Sequence, residues 1–101
     1  MEFLVEFEVT VPKGTPEREV KALDAAESAA AVGLARQGHL LRLWRAPTAR
    51  GKTKAVGVYD ADSRAELDTL LSALPMSGWM HVTVTPLAPH PNDPGAPSLR
   101  Y

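Results

Sequence analysis

The 101-residue chain contains no cysteine. Disulfides, thiolate metal sites and a cysteine nucleophile are thereby excluded together, and the absence fits the reducing cytoplasm expected for this chain. An excess of charge is also lacking: 11 Lys and Arg stand against 12 Asp and Glu, a formal net charge of −1. General electrostatic attraction to nucleic acid or to an anionic membrane is therefore not expected. No apolar run reaches the length that spans a bilayer. Met1-Glu2-Phe3-Leu4 carries no basic region ahead of a long apolar stretch, so no secretory leader is expected. His39, His81 and His90 show no zinc-ligand spacing, and no Ser-His-Asp or Gly-x-Ser-x-Gly pattern supports acyl-enzyme chemistry. The length suits one domain and not two, and no internal repeat is present.

What is there reads as strands and helices in turn. Phe3, Val5, Phe7, Val9 and Val11 alternate with Glu2, Leu4, Glu6, Glu8 and Thr10, the period of a strand with one face in the core. Pro12-Lys13-Gly14 ends it. A helix is expected next, with Thr15 as N-cap, Pro16 at its first position, Glu17 and Glu19 in its first turn, and Gly38 as its stop after Gln37. His39 to Ala46 reads as a second strand and Lys54 to Tyr59 as a third. Between them Thr48-Ala49-Arg50-Gly51-Lys52 reads as a flexible basic loop. Ser63-Arg64-Ala65-Glu66 matches a capping box, and Leu67, Leu70, Leu71 and Leu74 follow at helical spacing up to Pro75. Met80 to Thr85 reads as a fourth strand ended by Pro86.

The order β-α-β-β-α-β predicts an α+β domain of the ferredoxin-like kind, a four-stranded antiparallel sheet with two helices on one face. The domain is expected over residues 1–92. Residues 93–101 are expected to be a proline-rich extended or disordered tail, because Pro89, Pro91, Pro94 and Pro97 forbid helix or central strand in this region. The uncovered sheet face needs burying, so a homo-oligomer is expected.

One residue conflicts with an all-apolar core. Val20, Leu23, Ala30, Ala31 and Leu34 share one stripe of the first helix, and Glu27 falls in its middle, with Asp24 at its edge. A carboxylate there is costly unless paired or protonated, and desolvation is expected to raise its pKa above the free value of about 4.3, toward the range useful for proton transfer. Small neighbours, Ala26, Ala30 and Ala31, leave room for a ligand. The alternative is a structural ion pair of Glu27 with Arg42 or Arg45.

On the second strand Arg42 and Trp44 share one face, while Leu41, Leu43 and Arg45 share the other. An arginine aimed into a cleft would bind a substrate carboxylate in bidentate fashion, and Trp44 would pack or wall a pocket. The basic loop with Lys52 would close over an anionic ligand or remain solvated; it lacks the glycine spacing of a phosphate loop.

Leu23 to Glu27, Gln37-Gly38 through Leu43-Trp44-Arg45, Leu74-Pro75, Trp79-Met80, Val82 to Pro86 and His90-Pro91 together resemble the muconolactone Δ-isomerases across residues 1–92. The resemblance implies a ferredoxin-like fold, an assembly as large as a decamer, and an active-site cleft near subunit contacts. It implies a role in aromatic catabolism through the β-ketoadipate route, converting muconolactone to the enol-lactone with neither metal nor organic cofactor. The family's proton-shuttling glutamate falls at Glu27. Arg42, Arg45, Trp44, Lys52 and His90 become candidates for holding an anionic lactone. Departures from the family pattern are Leu40, Leu41 and Arg42 in place of Trp-Arg-His, the loop from Thr48 to Lys54 in place of one with a His-Tyr pair and an Asn, and Pro89 in place of an arginine. Three readings follow: an isomerase using Glu27 as base; a relative recruited to another isomerisation, cyclisation or dehalogenation; and a non-catalytic oligomeric small-molecule binder.

Overall fold

The computed structural model describes residues 1–49 and 52–95. Strand β1 (Glu2–Thr10) is followed by α1 (Glu17–Arg36), β2 (Leu40–Ala46), β3 (Lys52–Asp60), α2 (Arg64–Ser72), a 3₁₀ turn (Ser77–Trp79) and β4 (Met80–Leu87). The strands form one sheet in the order β2-β3-β1-β4 with every pairing antiparallel. This is the ferredoxin-like arrangement expected from the element order: each helix bridges two parallel strands that hold a third between them.

The alternation in β1 sets the two faces of the sheet. Phe3, Val5 and Phe7 are buried, and with Tyr59, Leu34, Leu67, Leu71 and Leu74 they form the core between sheet and helices. The even-numbered residues point the other way, and Glu2, Glu6 and Glu8 keep their charges toward water. The register carries the division into the neighbours. Phe7 faces Ala55 and Val82, whereas Glu8 faces Lys54 and His81.

Local chemistry accounts for most element ends. Gly38 has φ +81°. It lets its own N–H reach the Ala35 carbonyl while the His39 N–H reaches Leu34, so two of the last carbonyls of α1 are satisfied. Ser63 caps α2 by accepting from the Glu66 N–H at 3.1 Å, and Glu66 returns the contact one residue earlier than expected, accepting from the Asp62 N–H at 2.8 Å.

Three local expectations are corrected. Pro16 is the N-cap of α1 with extended backbone, not its first helical residue. The Thr15 hydroxyl donates to the Pro12 carbonyl at 2.6 Å, so Thr15 serves the preceding turn and not the helix. Lys52 opens β3 and is no loop residue; Thr10 opposite extends the pairing. Pro86 lies inside β4 rather than ending it. A missing N–H is tolerated there because β4 is an edge strand.

Residues 88–95 contain no helix or strand. Their hydrogen bonds are local, from Asn92 N–H to His90 Nδ1 at 3.0 Å, from Asp93 N–H to the His90 carbonyl at 3.1 Å and from Gly95 N–H to Asp93 Oδ1 at 2.9 Å. Arg50 and Gly51 of the expected basic loop, and positions 96–101 of the expected tail, lie outside the described residues. No helix among the described residues is long and apolar enough to cross a membrane.

Candidate active site

Between α1 and the sheet lies a cavity of about 290 Å³, near the lower end of the range for small-molecule sites, roughly 300–1,000 Å³. Its floor comes from core-face positions of three strands: Phe7 and Val9 of β1, Ala55 and Tyr59 of β3, and Leu43 of β2. Val20, Asp24, Glu27 and Ala31 of α1 form the opposite wall. Their spacing of four, three and four keeps all of them on one helical stripe. Leu74, Met76 and Met80 close one side. The walls are mainly apolar, and the polar groups are few and grouped on α1 and β3.

Glu27 is half-buried in this wall. Its Oε1 accepts the Met76 backbone N–H at 3.0 Å, a contact spanning 49 residues of chain. The segment after α2 therefore fixes the carboxylate, leaving Oε2 without a partner among the described residues. The structural ion pair considered from sequence is absent: no Lys or Arg among the described residues lies within salt-bridge distance of Glu27. Asp24, one turn earlier, also lines the cavity and is exposed.

Tyr59 is the other polar group of consequence. It is 3% exposed, and its ring meets Phe7 edge-on at 5.9 Å. Burial, with the negative charge of Glu27 adding to it, pushes its phenol up to about 12, so the hydroxyl keeps its proton at any physiological pH. Sequence reading passed over Tyr59, although a signal existed. Tyr59 shares the alternating face of Ala55 in β3, and a tyrosine on a core face needs an outlet for its hydroxyl. The Met76 N–H had no such signal, because it depends on where a loop closes.

The remaining sequence candidates are not gathered at this cavity. Arg42 pairs with Val58 and Trp44 with Val56, which puts both on the open face of the sheet. There the Arg42 guanidinium stacks over the Trp44 ring at 4.7 Å. Lys52 is on that face as well, with Nζ 3.3 Å from Glu8 Oε1. Arg45 faces Ala55, a cavity residue, and so lies on the cavity side of the sheet, but it is exposed and adds nothing to the wall. His90 follows a strand that begins at the cavity with Met80, opposite Val9, and ends at Leu87, opposite Glu2. Seven steps of about 3.3 Å carry the chain away, and the three residues from Leu87 to His90 cannot return it. His39 is structural, its Nδ1 donating to the Asp60 carbonyl at 2.8 Å. No group of three or more acidic or histidine side chains suited to a metal occurs among the described residues.

Known proteins resemble this chain in sequence and in fold. The family model described as muconolactone delta-isomerase matches residues 1–93. A muconolactone Delta-isomerase of Cupriavidus pinatubonensis is 36% identical over 93 residues, covering 92% of this chain and 98% of that protein. The crystal structure of a muconolactone isomerase superposes with a TM-score of 0.80 at 27% identity, covering 95% of this chain and 97% of the other. A 5-chloro-2-hydroxyhydroquinone dehydrochlorinase from Burkholderia phenoliruptrix shares the fold, with a TM-score of 0.63 at 18% identity over 87% of this chain and 94% of its own.

Proposed function

This chain belongs to the muconolactone delta-isomerase family, a family of isomerases, and from that premise we propose that it shifts a proton and a double bond in muconolactone or a close unsaturated lactone, with Glu27 as base and then acid. The observation that carries the reading is the state of Glu27: a carboxylate fixed through one oxygen by the Met76 N–H, with no cation beside it among the described residues, in the wall of an apolar cavity. A structural glutamate would be neutralised by a partner or turned to solvent. A base needs an oriented lone pair facing a space that fits a substrate.

The chemistry asks little else of the protein. In an α,β-unsaturated lactone the hydrogen on the γ carbon, beside the ring oxygen, is acidified through the conjugated carbonyl. Glu27 takes that proton; the C–H electrons become the new ring double bond, and the old one moves toward the carbonyl, whose oxygen gains the charge. The protonated Glu27 then returns its proton to the α carbon, two atoms away, and the carbonyl re-forms. One carboxylate serves both positions when the α and γ carbons present the same ring face to it. No cofactor enters the scheme. Among the predicted cations, Arg45 is the one whose sheet face is that of the cavity; it stands outside the wall, where it would meet only a carboxylate that projects beyond the cavity. The β-ketoadipate route and an assembly of several subunits belong to the same proposal.

A second reading has its own support. Arg42, Trp44 and Lys52 stand away from the cavity, and the dehydrochlorinase shares the fold, so the scaffold serves eliminations as well as proton shifts. Turnover separates the two. Purified protein is mixed with muconolactone, and the rise of the enol-lactone is followed by absorbance, with Glu27→Gln in parallel. Glutamine keeps an acceptor for Met76 but is no base. The wild type should turn muconolactone over, and the variant should lose about 10²–10⁴-fold. A wild-type protein inert toward muconolactone would favour the second reading.

A further inference from the structure

Tyr59 has a hydroxyl that the fold does not use. The residue is 3% exposed, it lines the same cavity as Glu27, and among the described residues its hydroxyl takes part in no hydrogen bond. Buried tyrosines ordinarily find a partner for this group. The ring position is also specially provided for. Gly57 lies two residues before Tyr59 on the same strand face, and a Cβ there would sit 2.9 Å from Tyr59 Cε1 and 3.2 Å from both the Arg42 carbonyl oxygen and the Leu43 side chain. The ring therefore leans along β3 over Gly57, toward Ala55 at the cavity floor. A side chain at position 57 would force the ring or its neighbours to shift.

We propose that the Tyr59 hydroxyl donates a hydrogen bond to the substrate's carbonyl oxygen, and so stabilises the enolate formed when Glu27 removes the proton. This rests on the reading of Glu27 as base. Proton removal moves charge onto the carbonyl oxygen, and a donor already aimed there, in an apolar cavity, acts on the transition state more than on the ground state. Tyr59 gives up no proton in the cycle. Its phenol, pushed up to about 12 by burial and by the Glu27 charge, remains neutral and does not compete with Glu27 for the proton. The negative wall on α1 and the neutral donor on β3 thus divide the work, one moving the proton and the other holding the charge.

The test uses the whole chain, muconolactone as substrate, and tetronate as a non-reacting probe. Tetronate is a five-membered lactone that is already an enolate at neutral pH. Tyr59→Phe keeps the ring against Phe7 and removes only the hydroxyl. The expected result is a kcat on muconolactone lowered about 10²-fold with KM nearly unchanged, and tetronate binding weakened about tenfold or more. Gly57→Ala, which crowds the ring without touching the hydroxyl, should lower kcat in the same direction. Tyr59→Phe binding tetronate as tightly as the wild type, or a wild type that does not bind it, would overturn the assignment. If Glu27→Gln is inactive while Tyr59→Phe turns over normally, Tyr59 is removed and the Glu27 reading stands. If Tyr59→Phe weakens tetronate but the wild type ignores muconolactone, the donor stands and the substrate reading falls.

Discussion

Position 27 of α1 carries a carboxylate where packing alone asks for an aliphatic side chain, and Tyr59 lines the same cavity. Each group is oriented by a neighbour distant in sequence or by the absence of a side chain: Glu27 by the Met76 N–H, Tyr59 by the room over Gly57. The pH behaviour of Tyr59 follows from its position. Its phenol is raised in the folded chain to about 12 from an unfolded value near 10, so between these values the native state holds a proton that the unfolded state has lost. Its contribution to stability is fully present below about pH 10 and is lost as pH rises through 12. Chemical denaturation at stepped alkaline pH should therefore show Tyr59→Phe losing less stability than wild type above pH 10, and the two should run parallel below it. Glu27 was legible in the sequence because a charge in an apolar stripe has few explanations. The fates of Arg42 and Lys52 were not. Strand alternation separates two faces but cannot say which one a cavity occupies, and the stack on Trp44 and the pair with Glu8 depend on the completed sheet.

At the scale of elements, the strongest local signals gave the right outcome. The alternation of β1 and the leucine spacing of α2 identify core faces directly, and Gly38 and Ser63 end and begin their helices through backbone hydrogen bonds that short motifs encode. Ser63→Ala should cost about 1 kcal/mol, read as a lowered thermal midpoint with activity retained. Leu67→Ala, at a position with 0% exposure, should cost roughly 2–5 kcal/mol. A milder effect from Leu67 than from Ser63 would contradict the assignment of the core. Where local signals erred, pairing prevailed. Thr10 opposite Lys52 extends β3 into the expected loop, and Pro86 continues β4 because its N–H would have faced away from the sheet. At the other end of α1, a proline's extended backbone took the cap position from Thr15.

At the scale of the molecule, two helices cover one sheet face, and among the described residues nothing covers the other. The bare face mixes the β1 glutamates with Leu4, Val56, Val58 and Trp44, which is 45% exposed. Apolar side chains flanked by charges on one flat sheet suit contact with another copy of the chain. Light scattering on the purified protein should therefore report a homo-oligomer, and Trp44→Glu should shift it toward smaller species; a strict monomer would contradict this use of the face. His90 leaves the sheet at the end opposite the cavity of Glu27. The element order was legible from the sequence alone. The separation of His90 from Glu27 was not, because it depends on strand direction rather than on residue type.

The most direct measurement is proton exchange at the substrate itself. Muconolactone is followed by NMR in deuterated water with wild-type protein and with Glu27→Gln, at concentrations where both bind it. The account predicts that the wild type exchanges or transfers the γ hydrogen at the rate of turnover, and that Glu27→Gln binds the lactone yet leaves that hydrogen in place at the uncatalysed rate. Exchange in the variant within tenfold of wild type would show that another group carries the proton.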